Sequence, residues 1–296
     1  MLLALSCLLG AFITAVSAGS CDSCVGGICH RKMIVLEGFE QIGQIAIDRT
    51  SNIFYFHVKD NRRKYYTCAY DLDNVVLNRI WDVNFSFARA VDPATRDLYL
   101  SQEASVYKVN PKDNFTDGVT EFNRTVWHMQ FKDKLYYAEF GTANGIKIYE
   151  NGIHTDIPSL TNYKIDDFII DKNNDIYFSY AFAVYRLRNG QSEAKLFADE
   201  IYSLTTDKYG EAHFIQPYNR AIYKLDYSTD MMVNIGIISV GTPYKVVFTS
   251  DNYIIYSDIE FNGMYFLVPE TGKCVIDEQR TGNIITKRIS LDIDKN

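Results

Sequence analysis

Apolar and polar residues alternate along "NNDIYFSYAFAVYRLRNG" (173–190), which predicts two short strands, and the closing "RNG" predicts a tight turn. An isolated hairpin of this size is marginal in water, so its apolar faces need something to pack on. The same pattern recurs in "IAIDRTSNIFYFHV" (45–58), "RAVDPATRDLYLSQ" (89–102), "MQFKDKLYYAEF" (129–140), "FIIDKNNDIYFSY" (168–180), "LTTDKYGEAHFIQ" (204–216) and "VVFTSDNYIIYSD" (246–258). Each is an apolar strand, a polar turn and an apolar-aromatic strand. Aligning Tyr55, Tyr99, Tyr136, Tyr177, His213 and Ile255 gives intervals of 44, 37, 41, 36 and 42 residues. A third strand follows each time, as in "YTCAYDLD", "SVYKVNP", "GIKIYENG", "AVYRLRNG", "AIYKLDY" and "GMYFLVPETG". The intervals leave room for a fourth, more variable strand.

This repeat predicts an all-β fold, a six-bladed β-propeller of four-stranded antiparallel blades. One blade cannot bury both faces of its sheet, whereas blades packed face to face around an axis share an apolar interior. The turns "DPATRD", "DKNND" and "DKYGE" suit the first hairpin of a blade, because Asp and Asn bond their own backbone and tolerate a left-handed residue. "HRKMIVLEGF" (30–39) precedes the first inner strand and is expected to supply the outermost strand of the last blade, closing the ring. A β-sandwich with coincidental spacing is the competing arrangement. No amphipathic helix of convincing length competes.

The chain opens with "MLLALSCLLGAFITAVSAGS", an apolar run ending in small residues. That predicts a secretory signal peptide cut after Ala18. A membrane anchor is the other reading, but the run is barely span length and Gly19, Ser20 and Cys21 follow at once. The expected organisation is a leader over 1–18, a Cys-rich segment over 19–32 and a propeller over 33–296. A soluble, secreted mature protein follows, with no membrane partner. Sequons at Asn84, Asn114 and Asn123 agree with that route and are expected on the surface if glycosylated.

Composition adds two exclusions. With 47% hydrophobic and 23% charged residues among 296, the chain is neither disordered nor a membrane bundle. A net charge of −7, with only the short "NRRK" as a basic cluster, leaves no nucleic-acid surface.

Cys7 leaves with the leader, and Cys21, Cys24, Cys29, Cys68 and Cys274 remain as disulfide candidates. An odd count leaves one thiol over. A monomer is expected, with a dimer linked through that thiol as the other arrangement. "CDSCVGGICH" (21–30) could also be read as a zinc site, but an oxidising compartment favours disulfides and a second ligand cluster is missing. The pattern leaves open whether this segment is tied to Cys68 or to Cys274.

In a propeller the beginnings of the inner strands face one mouth of the channel, where function concentrates. Counting back from the turn Asp places Gly43, Phe87, Trp127, Asp166, Tyr202 and Tyr244 there, with Gln44, Ala88, His128, Asp167, Ser203 and Lys245 next to them. The turns of the third and sixth units differ in length. Trp127, His128, Tyr244 and Lys245 therefore carry a one-residue register ambiguity, and a slip would turn them away. Phe87, Trp127, Tyr202 and Tyr244 make a surface for a planar ligand; Arg89, Lys245 and His128 are expected to meet its carboxylates. The plainer alternative is that the rings plug the channel. Catalysis is less well supported. Asp166 and Asp167 are the carboxylates in the window; Glu139, Asp258 and Glu260 are placed on loops between second and third strands, either solvated or reaching inward, and no nucleophile elbow, HExxH or P-loop occurs.

The leader running into "CDSCVGGIC", followed by six degenerate "D-x-x-x-x-x-[IL]-Y" units, resembles the insect ommochrome-binding proteins. The resemblance implies a haemolymph carrier of tryptophan-derived phenoxazinone pigments. The ligand would be a xanthommatin-like pigment, flat and carboxylated, with no cofactor and no turnover. The "DIYFS" strand is also similar to the YWTD repeats of lipoprotein-receptor propellers, which bind proteins, although the Trp and signature Asp are missing. Metal-dependent lactonase propellers are a third resemblance, weakened by the sparse carboxylates.

Overall fold

The computed structural model describes residues 19–276 apart from 61, 82–85, 112–117, 142–144, 182, 240 and 271–273. The expected leader and the sequons at Asn84 and Asn114 lie outside the described residues. Asn123 is exposed and accepts a hydrogen bond from Ser105 Oγ at 2.9 Å.

Strand pairing turns the repeat into sheets. Glu40–Asp48, Ile53–Lys59, Tyr65–Asp71 and Val76–Trp81 form one antiparallel sheet. Arg89–Val91, Leu98–Gln102, Ser105–Val109 and Val119–Phe122 form the next, and Val126–Phe131, Leu135–Glu139, Ile146–Glu150 and Ile153–Asp156 the one after. Asp167–Ile170, Ile176–Tyr180, Ala183–Leu187 and Lys195–Asp199 follow. The rest is a nine-stranded sheet. Ser203–Thr206, Ala212–Gln216, Ala221–Asp226 and Met231–Ile238 continue through Ser23–Val25 and Ile28–Glu37 to Gly263–Pro269, Ile254–Asp258 and Pro243–Phe248. The first strands touch in a closed ring: Glu40–Asp48, Arg89–Val91, Val126–Phe131, Asp167–Ile170, Ser203–Thr206, Pro243–Phe248 and back to Glu40–Asp48. The architecture is a β-propeller, with these strands around a central channel.

Each junction between neighbouring sheets has its own apolar cluster. Tyr55 and Ala69 meet Leu98 and Leu100; Ala90 and Tyr99 meet Met129 and Tyr137; Ala138 and Ile146 meet Phe168 and Phe178. Ile169 and Tyr177 meet Leu204 and Phe214, Ile215 and Ile222 meet Val246 and Tyr256, and Phe54 and Phe56 meet Ile255 and Met264. The recurring aromatic of the second strand sits in these layers, where fully burying such a side chain contributes about 1.5–3 kcal/mol.

The turn acids have a common task. Asp48 Oδ1 accepts from Thr50 N, Asp92 Oδ1 from Ala94 N, Asp171 Oδ1 from Asn173 N and Asp207 Oδ1 from Tyr209 N, each at 2.8–2.9 Å. Each turn then passes through a left-handed residue, namely Asn52, Arg96, Asn174 and Gly210. The turns also tie sheets together. Arg96 Nε donates to Asp48 Oδ2 at 2.9 Å, and Lys172 N donates to Gly210 O at 2.7 Å.

Closure comes from the N-terminal segment. Ile28–Glu37 pairs antiparallel with Gly263–Pro269, as the sequence predicted for 30–39. The expected domain boundary at 32/33 falls inside this strand, so the Cys-rich segment is not separate from the propeller. Ser23–Val25 pairs with Met231–Ile238, and Gly19–Cys21 runs parallel to Cys274–Ile276. Cys24 and Cys29 form a disulfide, and Cys21 is also disulfide-bonded. The three sulfurs of the "CDSCVGGIC" cluster lie within 4.8 Å of one another. Cys68 is buried among Phe54, Phe56 and Tyr70.

Candidate functional site

Residues at one end of the inner strands enclose a cavity of about 340 Å³. Phe87, Trp127, Tyr202 and Tyr244 line it as half-buried rings, with Asp166 exposed beside them. Gln44, His128, Asp167 and Lys245 form the floor. Below that floor the channel narrows to a second space of about 140 Å³, walled by apolar side chains such as Met129, Phe168 and Val246 and by polar ones such as Arg89, Gln130 and Thr205.

Neighbouring residues of a regular strand face opposite sides. Trp127 and His128 nonetheless share this cavity, as do Tyr244 and Lys245. The pairing register explains why. Val126 pairs with Glu139 and His128 with Ala138, so Trp127 is an extra residue. Pro243 pairs with Asp258 and Val246 with Tyr256, which leaves Tyr244 and Lys245 opposite one residue. Ile42 pairs with His57 and Ala46 with Tyr55, so Gly43 and Gln44 sit in a third irregularity. Bulges of this kind re-aim side chains. They remove the register ambiguity by turning both candidates of each pair inward.

Gly43 is required by close approach. It has φ +68°, and a Cβ there would lie 2.2 Å from Phe87 O. That contact lets Gln44 N donate to Phe87 O at 2.7 Å and sets Phe87 at the rim.

The rings form a connected wall. Phe87 and Trp127 lie 4.7 Å apart between centroids, and Trp127 Nε1 donates to Asp166 O at 2.9 Å. Sequence reasoning missed Phe140, whose ring packs 5.2 Å from Trp127 while staying 55% exposed. It also missed Tyr218, which meets Tyr202 edge-on at 5.4 Å, and Ile201 and Ser179 in the lining. The available signal for Phe140 and Tyr218 was an aromatic in a loop between second and third strands.

The floor is a network. Lys245 Nζ lies 2.7 Å from Asp167 Oδ2, which also accepts from Leu204 N at 3.3 Å. His128 Nδ1 is 3.2 Å from Asp167 Oδ1, outside hydrogen-bonding geometry, and Asp167 Oδ1 is buried without a hydrogen-bond donor. Gln44 spans two sheets: its Nε2 donates to Met129 O at 2.5 Å and lies 3.1 Å from His128 Nε2, while its Oε1 accepts from Met129 N and Arg89 N. Burial pushes His128 down to about 4, with Asp167 only partly opposing, so the imidazole is neutral at pH 7.

Three expected carboxylate-binding roles are corrected by these contacts. Arg89 is fully buried under the floor, away from the mouth, and donates to Gln44 O and to Ser86 O and Oγ. Lys245 is paired with Asp167, and His128 carries no charge. The outer-loop acids do not line the mouth either. Glu139 pairs with Arg124 at 3.6 Å, Asp258 faces Lys32 at 3.9 Å, and Glu260 accepts from Thr242 Oγ1 at 3.1 Å.

A lactonase-type divalent cation is a poor fit here. Such ions need several oxygen ligands. Among the described residues no three His, Cys, Asp or Glu ligand atoms converge at the mouth, and the one buried carboxylate already holds an ammonium. The arrangement suits binding of a flat apolar group.

No family model matches the sequence, and no curated protein matches it. Solved structures do match in fold. A gluconolactonase from Xanthomonas campestris superposes with TM-score 0.66 at 9% identity, covering 86% of this chain and 97% of its own. An auxiliary nutrient-binding protein from Bacteroides ovatus gives 0.63 at 11% identity, covering 81% and 73%. A nidogen–laminin complex gives 0.53 at 13% identity, covering 65% and 78%. At these identities the likeness is one of fold alone, and the fold this chain shares with them is the β-propeller.

Proposed function

We propose that the chain is a secreted, six-bladed propeller that carries a small planar aromatic metabolite without turning it over. The observation that carries this reading is the ring-lined mouth of Phe87, Trp127, Tyr202 and Tyr244 around about 340 Å³. That volume is at the small end of ligand sites, roughly 300–1,000 Å³. Half-buried rings at a channel entrance are costly to leave wet, and a flat ligand covers them. The ring of six first strands supports the count of blades. The Cys24–Cys29 disulfide suits an oxidising, extracellular compartment. The resemblance in the N-terminal cysteines and repeat makes an ommochrome-type pigment of the haemolymph the specific candidate. A ligand-binding role also matches what the Bacteroides neighbour is named for.

The test is spectroscopic. Protein isolated from its source should carry a visible absorption band, and Trp127→Ala should weaken rebinding of the released ligand by about 1–3 kcal/mol, the range for stacking on an aromatic side chain. A colourless protein whose tryptophan fluorescence responds to no planar aromatic compound ends the proposal. A second reading, binding of a protein at the same face, is favoured by the exposure of Phe140 and Tyr218. It predicts a partner recovered from body fluid that competes with no small molecule.

A further inference from the structure

Resting on that ring-binding reading, we infer that the end of the ligand entering the mouth is a cation, a protonated amine on an aromatic scaffold, rather than a carboxylate. Three observations converge. First, the charged side chains lining the cavity are two carboxylates, Asp166 and Asp167, against one ammonium, Lys245. That ammonium is spent on Asp167, and Arg89 lies below the floor, bonded to carbonyl and hydroxyl oxygens. Among the described residues lining the cavity no further positive group is present to receive an incoming carboxylate, whereas the exposed Asp166 is part of the lining.

Second, the Asp167 carboxylate, 3% exposed at the floor, pairs with Lys245 through Oδ2, and its Oδ1 lies 3.2 Å from His128 Nδ1 without a hydrogen bond. A carboxylate beneath the cavity, only partly offset by its neighbours, favours a positive end of the ligand over a negative one. Third, the wall is made of Trp, Phe and Tyr rings, whose faces attract cations. Aromatic faces around acidic groups are the physical recipe for holding an ammonium. A tryptophan-derived ring that keeps its amino group presents both halves, the flat system for the wall and the cation for the acids. His128, neutral through burial, adds no opposing charge.

The experiment uses three indoles of one ring and different heads: tryptamine (cation), tryptophol (neutral) and indole-3-acetate (anion). Binding to the full chain is followed at pH 7 by calorimetry. The expected order is tryptamine, tryptophol, indole-3-acetate, with the amine ahead of the acid by about tenfold or more, equivalent to about 1.4 kcal/mol. Asp166→Asn, at an exposed position, should reduce that ratio to within about threefold. Equal or tighter binding of indole-3-acetate overturns the inference and leaves ring binding intact. An unchanged ratio in Asp166→Asn overturns it as well. Failure of all three, tryptophol included, removes the ring-binding reading and this inference with it.

Discussion

Lys245 Nζ lies 2.7 Å from Asp167 Oδ2, joining two inner strands that are separated in the ring by Ser203–Thr206. The pair closes the floor of the mouth and ties nonadjacent inner strands across the channel. Removing either charge alone strands the other in a buried site. Lys245→Met is expected to cost about 3–5 kcal/mol, and Lys245→Met with Asp167→Leu should recover most of that loss. Urea unfolding of both variants checks this; equal losses in the single and double variants would show that the charges are not coupled. Burial opposes the Lys245 ammonium, but Asp167 outweighs it and holds the group above its ordinary value. The contribution is therefore complete at neutral pH and is lost only as pH rises past the ordinary lysine range.

Acid should destabilise the fold through histidines. Burial pushes His128 and His213 down to about 4 and His57 to about 3, from 6.5. The unfolded chain binds these protons first, so stability is full above pH 6.5 and falls toward pH 4. Each group contributes a slope of about 1.4 kcal/mol per pH unit in that window. His128→Gln should remove one such share from the slope measured by denaturant titration at several pH values. An unchanged slope would mean that His128 is charged in the folded state.

Gly43→Ala should disturb the mouth beyond ordinary backbone strain. Both Gly43 and Gly38 have positive φ, but a Cβ meets Phe87 O at Gly43 and nothing within 4 Å at Gly38. Gly38→Ala thus measures the left-handed cost by itself, on the order of 1–3 kcal/mol. Gly43→Ala should lose more and should shift the Trp127 emission, since Phe87 and Trp127 are in contact. Equal losses in the two variants would show that the close approach is unimportant.

Chelation should leave stability unchanged. A divalent ion at a hundredfold its dissociation constant would add about 2.7 kcal/mol. The described mouth offers one buried carboxylate, and that is engaged by Lys245. Melting curves in EDTA and in millimolar Ca²⁺ should coincide. A rise in Tm with the ion would revive the lactonase reading.

The repeat was legible because it is local. Each inner hairpin is written in consecutive residues: an apolar run, a turn Asp that bonds its own backbone, and an aromatic strand. The same register put Phe87, Trp127, Asp166, Tyr202 and Tyr244 at one end of the channel, and the strand over 30–39 was readable as the closing strand. Arg89 was misread because an Arg two residues past a mouth ring looks available in sequence. Only the fold reveals that Arg89 is buried and that Gln44 O, Ser86 O and Ser86 Oγ take its Nη1 and Nη2 donors.

By itself, then, the chain determined periodicity, turn chemistry and the aromatic character of one channel entrance, since all three are set by neighbours a few residues apart. Tertiary structure decided the charge of that entrance. The ammonium and carboxylate that cancel there are 78 positions apart, and the bulges that turn Trp127 with His128 and Tyr244 with Lys245 toward one space exist only against their partner strands. Electrostatic pairing and strand register are relations between distant segments, and no local pattern encodes which of them meet.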